Sequence, residues 1–269
     1  MNLTLEKDLI QKITEVYQEY IKNNPHDEIP NVLQNDILIR KRVASFSIYK
    51  KYLTGKNTFL DWGCKNGIIG YTIKTYLGDR AGKIEIHGCD IIRGKYQIFS
   101  EKANLIYSQL NHYYLMPYQD NYFDIVIGNG VLEHVANDRE SLKELYRIIK
   151  NEGYLIITFL PNRLSYTEFL SEKFRKLTHM RKYSINKIKE MLLHSGFVPI
   201  EWGYHQVFPS LSSFPSRRVS DPKDLKRLND FKVIMSKIYN LNKYAEKIWP
   251  LNIFATNIFI IAQRKAMIP

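Results

Sequence analysis

This sequence predicts an α/β fold built on a doubly wound, mainly parallel sheet. Three observations predict it. Short β-rich runs alternate with amphipathic helical runs between residues 58 and 162. One such run, Phe59-Leu60-Asp61-Trp62, passes into a glycine turn, Gly63-Cys64-Lys65-Asn66-Gly67, that opens a helix. A second β-rich run ends on another acid, Asp90. Strands separated by helices pair in parallel and are covered on both faces. Open sheets of this kind bind ligands at the carboxyl ends of their strands.

The elements follow in order. Leu9, Ile10, Ile13, Val16, Tyr17, Tyr20 and Ile21 recur at helical spacing, so residues 4–22 predict an amphipathic helix, which Asn23-Asn24-Pro25 ends. A second helical stretch, 33–53, carries Ile37, Ile39, Val43, Phe46 and Tyr49. The alternation then begins: strand 58–62, helix 68–77, strand 83–89 and strand 123–128. Residues 138–150 form a helix with Leu142, Leu145, Tyr146 and Ile149 on one face, and 154–159 form the next strand. After Pro161 the pattern loosens. Residues 184–195 predict a helix, 198–202 a strand, and the Ser- and Pro-rich stretch 205–220 a loop. Asp221-Pro222 with Asp224 is a helix start of cap, proline and first-turn acid, so a helix is expected over 222–244. Residues 253–262 close the pattern as the last strand.

At 269 residues and 45% apolar content the chain can bury one large core with additions. Glu6, Lys7 and Asp8 interrupt the start before any secretory apolar run, and the longest apolar stretches fall short of the ~20 residues a membrane span needs. Cys64 and Cys89 lack the spacing of a metal site or a disulfide framework, so two reduced thiols and a cytoplasmic location are expected. The net charge of +12 is uneven: residues 163–269 hold 19 Lys/Arg against 8 Asp/Glu. That half is either a solvated lysine-rich surface or one that attracts an anionic substrate, nucleic acid or acidic membrane.

The acid before the turn separates ligand classes. A carboxylate at Asp61 repels a pyrophosphate but suits a cationic amine or a hydroxyl. Lys65 occupies the place of the middle glycine in a dinucleotide turn. Asp90 can accept both hydrogen bonds of a ribose diol. Together they favour a cofactor with a ribose and an amino-acid moiety and no phosphate.

These segments resemble the class I S-adenosylmethionine-dependent methyltransferases, in particular the small-molecule (type 11-like) group. Phe59–Gly67 is similar to the family's first motif and Asp90 to its ribose-binding acid. Met116-Pro117-Tyr118 with Tyr122-Phe123-Asp124-Ile125-Val126 is similar to its leucine-proline-phenylalanine … phenylalanine-aspartate-valine run. Val131-Leu132-Glu133-His134-Val135 matches its leucine-glutamate-histidine signature. The resemblance implies a Rossmann-like seven-stranded sheet of order 3-2-1-4-5-7-6 with an antiparallel last strand. It divides the chain into an N-terminal helical cap (1–55), a cofactor-binding core (56–162) and a basic acceptor-binding or lid segment that completes the sheet (163–269).

S-adenosyl-L-methionine is the implied methyl donor and S-adenosyl-L-homocysteine the product. The implied cofactor contacts are Asp61, Gly63, Cys64, Gly67, Asp90, Ile91, Leu110, Asn111, Asn129 and Glu133. Asn111 stands nearest the place of an adenine-binding acid. In ubiquinone-type O-methyltransferases a Glu and His like Glu133 and His134 join an earlier Glu at a metal; Gly130 holds that earlier place, so no metal is expected. His134 is the candidate general base, with loop stabilisation as its other reading. His179, Arg181 and Tyr183 alternate before a helix and would face one way if extended. Arg181 offers a fork for a carboxylate or phosphate, with packing at the N-terminus of the following helix as the other reading of the three. Tyr166, His205 and Phe208 add a wall to an acceptor pocket or pack in the core. The helix at 222–244 is a lid, a packing element or an interfacial helix touching an anionic membrane.

The reading that follows is methyl transfer to O or N of a small-molecule acceptor, anionic or partly apolar. Carboxylate, phenol, sugar and lipid head group are all open. An RNA methyltransferase is the alternative drawn from the basic half. Against it, Gly128-Asn129-Gly130-Val131 lacks the Pro-Pro-aromatic motif of base-amine enzymes, so nucleic acid is a disfavoured partner. A cofactor-binding scaffold without catalysis is the third reading.

Overall fold

The computed structural model describes residues 3–27, 37–78, 83–175, 179–208, 233–234 and 237–265. Its elements are α1 (Leu3–Asn23), α2 (Ile37–Tyr49), β1 (Thr58–Trp62), α3 (Ile68–Leu77), β2 (Glu85–Asp90), α4 (Ile98–Ala103) and β3 (Ile106–Gln109). There follow β4 (Phe123–Asn129), α5 (Asp138–Ile148), β5 (Ile149–Pro161), α6 (Tyr166–Arg175), α7 (Ile185–His194), β6 (Phe197–His205), α8 (Asn242–Ala245) and β7 (Asn257–Arg264). The seven strands lie in the order β3-β2-β1-β4-β5-β7-β6. All neighbours pair in parallel except β7, which is antiparallel to both β5 and β6. This is the order the sequence resemblance implies.

Strand periodicity sorts the core into two layers. Side chains alternate across a sheet. Phe59, Ile125, Ile127, Ile156 and Ile261 therefore face one side, where they pack with Phe99 and with Leu9, Ile13, Val43 and Phe46 of the N-terminal helices. Leu60, Trp62, Val126, Leu155, Ile157, Ile260 and Ala262 face the other side, against Leu142 and Leu145 of α5 and Ile188 and Leu192 of α7. A sheet buried on both faces needs near-continuous apolar strands, and Ile125–Ile127 and Leu155–Ile157 supply them.

Local chemistry sets the helix starts. Asn137 caps α5, its side chain accepting from the Glu140 N–H at 3.2 Å, and Ser184 caps α7, accepting from Lys187 N–H at 3.3 Å. Helix α5 stops at Ile148 rather than 150, because Ile149 already has extended backbone (φ −79°, ψ 138°) and starts β5. Three elements lack a sequence signal in residues 91–122 and 163–183: α4 and β3 are too short for a period to register, and α6 follows a loosened pattern. The last strand begins at Asn257, not 253, because Leu251–Phe254 form a 3-10 turn. The expected loop 205–220 falls outside the described residues from 209 onward, and the expected helix 222–244 falls outside them over 222–232 and 235–236. Among the described residues, no helix is long and apolar enough to cross a membrane.

Candidate cofactor and acceptor site

The site is built at the carboxyl ends of β1, β2, β4 and β5. After Trp62 the chain turns through Gly63 (φ +74°), whose N–H donates to Cys89 O at 2.8 Å, so the turn is stitched to β2. Lys65 follows in the left-handed region (φ +45°), and its N–H donates to Asp90 Oδ2 at 3.1 Å. Gly67, also at φ +74°, precedes α3; a Cβ there would lie 3.0 Å from the Ser100 backbone. These conformations favour glycine at both positions. The Lys65 side chain is exposed, as a residue in the middle glycine's place must be.

Asp61 is the anomaly of this turn. Its carboxyl is 1% exposed and neither oxygen has a partner at full hydrogen-bond geometry, the Gly70 N–H being the backbone donor that acts on it. Burial pushes its pKa up to about 7, against the opposing pull of the Arg42 charge on α2. Buried carboxylates ordinarily find partners, and an orphan pair of oxygens at a strand end marks a place for a ligand's donors. Asp90 differs. It already accepts from Lys65 N–H and from Ile92 N–H (3.3 Å), yet each oxygen retains a free lone pair. Beside it Ile91 and Ile92 are exposed by 63% and 72%, an apolar flank suited to a flat ring. Leu110 docks alongside, its N–H donating to Asp90 O at 2.8 Å, and Asn111 stays exposed. Cys64 and Cys89 are buried free thiols whose pKa burial raises, so neither is a nucleophile.

The loops after β4 and β5 are where the sequence places the acceptor side. Asn129 is half-buried, and Gly130 (φ +67°) donates its N–H to Thr158 O at 2.9 Å. Glu133 is 7% exposed with Oε2 unpartnered, and burial pushes its pKa up to about 7. His134 Nε2 lies 3.7 Å from Glu133 Oε1; partial burial and the charges of His179 and Lys65 lower the His134 pKa. The His134 and His179 rings are 5.7 Å apart. His179 is held by Glu168 of α6: Nδ1 to Oε1 is 2.9 Å, and its own N–H donates to Oε2 at 3.2 Å. That carboxylate raises the His179 pKa. Glu133, His134 and His179 each place one donor atom within 4.8 Å of the others. Sequence inspection tied Glu133 to His134 but not to His179 or Glu168, which only the fold delivers.

His179, Arg181 and Tyr183 do face one way, but what they face is the loop after β4. Arg181 donates to Val135 O and, at 2.8 Å, to Ala136 O. Its fork is taken up by backbone carbonyls, which favours packing before the helix over an anion-binding arginine. Tyr183 is 1% exposed, and its hydroxyl donates to Asp138 Oδ2 at 3.0 Å, so it is a packed strut rather than an acceptor contact. His205 is buried too, with Nδ1 3.1 Å from Glu246 Oε1 and its ring 5.8 Å from Phe159. Tyr166 is half-buried at the start of α6. A 520 Å³ groove lined by Arg163, His179, Lys182 and Lys187 adjoins His179. Glu144 and Arg147 of α5 were not singled out from sequence. They clamp the Met116–Asp120 segment: Glu144 accepts from Met116 N–H at 2.7 Å, and Arg147 donates to Tyr118 O at 2.8 Å.

Residues 60–157 match the family model described as "Methyltransferase domain". Residues 60–157 carry a methyltransferase domain, on the fold of the S-adenosylmethionine-dependent enzymes. The chain is similar to an uncharacterized methyltransferase of Schizosaccharomyces pombe, 30% identical over 39% of this chain and 40% of that one. It is also similar to an uncharacterized protein of Methanocaldococcus jannaschii, 34% identical over 53% of this chain and 60% of that one. The chain thus matches about half the length of these curated relatives. The fold matches the crystal structure of a SAM-dependent methyltransferase from Archaeoglobus fulgidus at TM-score 0.52 and 21% identity, over 82% of this chain and 91% of that one.

The methyltransferase domain's residues fit its cofactor. The orphaned Asp61 oxygens suit the cationic end of S-adenosylmethionine, the spare lone pairs of Asp90 suit a ribose diol, and exposed Ile91 and Ile92 suit the adenine.

Proposed function

We propose that this protein transfers a methyl group from S-adenosylmethionine to O or N of a small-molecule acceptor that is anionic or partly apolar. The buried Asp61 carboxylate at the carboxyl end of β1, with neither oxygen fully hydrogen-bonded, carries the cofactor half of this reading. When bound, the cofactor supplies an activated methyl on a positive sulfur, and little covalent chemistry is left to the protein. Positioning is the main contribution, worth up to ~7–11 kcal/mol when the acceptor atom is held ~3–3.5 Å from the methyl.

A general base adds ~10²–10⁴-fold for a hydroxyl acceptor. Two histidines compete for that role. His134 is mostly exposed, with Nε2 3.7 Å from Glu133 Oε1 and no carboxylate orienting it as Glu168 orients His179 among the described residues. His179 has its Nδ1 fixed by Glu168 and a ring nitrogen within 4.8 Å of donor atoms of Glu133 and His134, which suits the base-plus-orienter arrangement of nucleophile-activating sites. We assign the base to His179 and an assisting place to His134. Glu133 lines the cofactor side of the same opening.

The test is calorimetry of S-adenosylmethionine binding, followed by radiolabelled methyl transfer to pooled small-molecule acids, phenols and amines and to total RNA. Binding with transfer into the small-molecule pool is expected. Transfer confined to RNA, or binding with no transfer to any pool, would overturn the acceptor reading. Unaltered binding in Asp61→Ala would overturn the cofactor reading.

A further inference from the structure

With Arg181 committed to the Val135 and Ala136 carbonyls, the acceptor side lacks the anion anchor that its sequence suggested. The structure offers another cation, from the opposite end of the chain. Helix α2 passes close to the strand ends. The charge of its Arg42 reaches Asp61, and the preceding Lys41 reaches over β5. The Lys41 ammonium sits 4.5 Å from the centre of the Phe159 ring.

Phe159 is itself unusual. It lies at a register shift in β5, at φ +56°, a backbone conformation that costs a non-glycine residue and is retained where a side chain must be aimed. Phe159 and Glu133 flank the same small opening at Gly130. A Cβ on Gly130 would lie 3.8 Å from Phe159 Cβ and 3.5 Å from Glu133 Oε1. Lys41, Phe159 and Glu133 therefore border one space beside the methyl-transfer side of the cofactor site.

The ammonium is poorly satisfied there. Among the described residues no carboxylate forms an ion pair with it, although the Glu133 charge reaches it. Burial lowers its pKa to about 8. Lys41 is half-buried, and a cation drawn partly out of water without a paired anion is costly, so such groups are retained where a ligand completes them. The Lys41 stem and the aromatic ring beneath it also offer an apolar surface.

We propose that Lys41 anchors an anionic group of the methyl acceptor, a carboxylate or a phosphate, in the opening between Phe159 and Glu133. This rests on the reading of the β4 and β5 ends as the acceptor side. The acceptor would then pair an anion with an apolar body lying on Phe159. A helix outside the matched residues 60–157 would set specificity, while the shared strand ends hold the methyl donor.

The experiment loads the protein with S-adenosylhomocysteine and titrates benzoate, phenyl phosphate and neutral benzamide by calorimetry. One anion should bind more tightly than benzamide, and the tighter of the two names the source of the charge. Lys41→Met should lose about 10- to 100-fold of that anion affinity, the value of a charged hydrogen bond. Its benzamide and S-adenosylhomocysteine binding should be unchanged, and Lys41→Arg should keep the anion preference. Equal binding of anions and benzamide, no anion binding at all, or full anion affinity in Lys41→Met overturns the proposal. Loss of S-adenosylhomocysteine binding in the unaltered protein would instead strike the methyltransferase reading itself. If Lys41→Met fails to bind S-adenosylhomocysteine, Lys41→Gln and the Arg variant decide the matter.

Discussion

Asp61 holds a conflict between folding and binding. Its carboxyl titrates near 7 in the folded chain against 3.8 ordinarily. Between those values the folded state holds a proton that the unfolded state has lost, so stability falls as pH rises through this window. Above pH 7 the penalty is complete, at most ~4 kcal/mol for about three pH units. Asp61→Asn should therefore stabilise the cofactor-free protein at pH 8, with a gain that shrinks toward pH 4, while abolishing S-adenosylmethionine binding. Urea unfolding at the two pH values checks this, and equal gains at both would refute it. In the unaltered protein cofactor affinity should fall below pH 7, approaching ~tenfold per unit as Asp61 takes up its proton. The same scale separates the two histidines. Glu168 raises the His179 pKa, so Glu168→Gln lowers it and shifts the acid limb of kcat/KM to lower pH. Turnover should drop by about tenfold or more as the ring loses its orienter. If that limb stays in place and moves only with His134→Ala, the base is His134. Asp61 and Asp90 were legible in the sequence because a strand end with an acid and glycines has few other uses. The Glu168–His179 pair was not, because nothing along the chain announces that α6 returns beside the loop after β4.

That loop shows how one element is held by another. Leu132 to Asp138 carries Glu133 and His134, yet its own backbone leaves carbonyls at 132, 135 and 136 in need of donors. The segment before α7 supplies them: Arg181 for Val135 and Ala136, and the Tyr183 hydroxyl for Leu132 (3.4 Å) and Asp138. The alternation of His179, Arg181 and Tyr183 thus predicted a shared direction correctly, while the target of that direction needed the fold. Arg181→Ala should cost ~1.5–3 kcal/mol, the range for hydrogen bonds from a charged group, and should lower kcat through a loosened Glu133–His134 segment. Arg181→Lys should restore little, since a point charge cannot bridge two carbonyls as a planar fork does. S-adenosylmethionine affinity should hold in both variants; an acceptor KM that rises alone, with stability intact, would return Arg181 to the acceptor. The ten-residue α3, with its clear period over Ile68–Leu77, and β1 over Thr58–Trp62, marked by the glycine turn that ends it, matched their sequence reading residue for residue. The six residues of α4 and four of β3 carry too few positions for a pattern.

Across the whole molecule, the N-terminal helices share a core with the sheet. Leu9, Ile13, Val43 and Phe46 belong to the cluster that contains Phe59, Ile125, Ile156 and Ile261, which lie on four different strands. Phe46 also meets Tyr49 and Tyr76 edge-on, at ring separations of 5.3 and 5.2 Å, so α2 is tied to α3 as well as to the sheet. This packing fixes the height at which α2 crosses the strand ends, and with it the reach of Arg42 toward Asp61 and of Lys41 over Phe159. Binding-site geometry and global stability therefore depend on the same contacts. Phe46→Ala should cost ~3–5 kcal/mol, the usual result of emptying a buried phenylalanine site. The loss should appear in one cooperative transition followed equally by far-UV circular dichroism and tryptophan fluorescence, because Trp62 sits in β1, the strand whose Phe59 packs against the same helices from the other face. Two separated transitions, with α1 and α2 melting first, would show that the cap is an independent unit and that its hold on the site is loose. Below the transition, Phe46→Ala should weaken anion binding more than S-adenosylhomocysteine binding, since Lys41 reaches the site from α2 while Asp61 and Asp90 are fixed by the sheet.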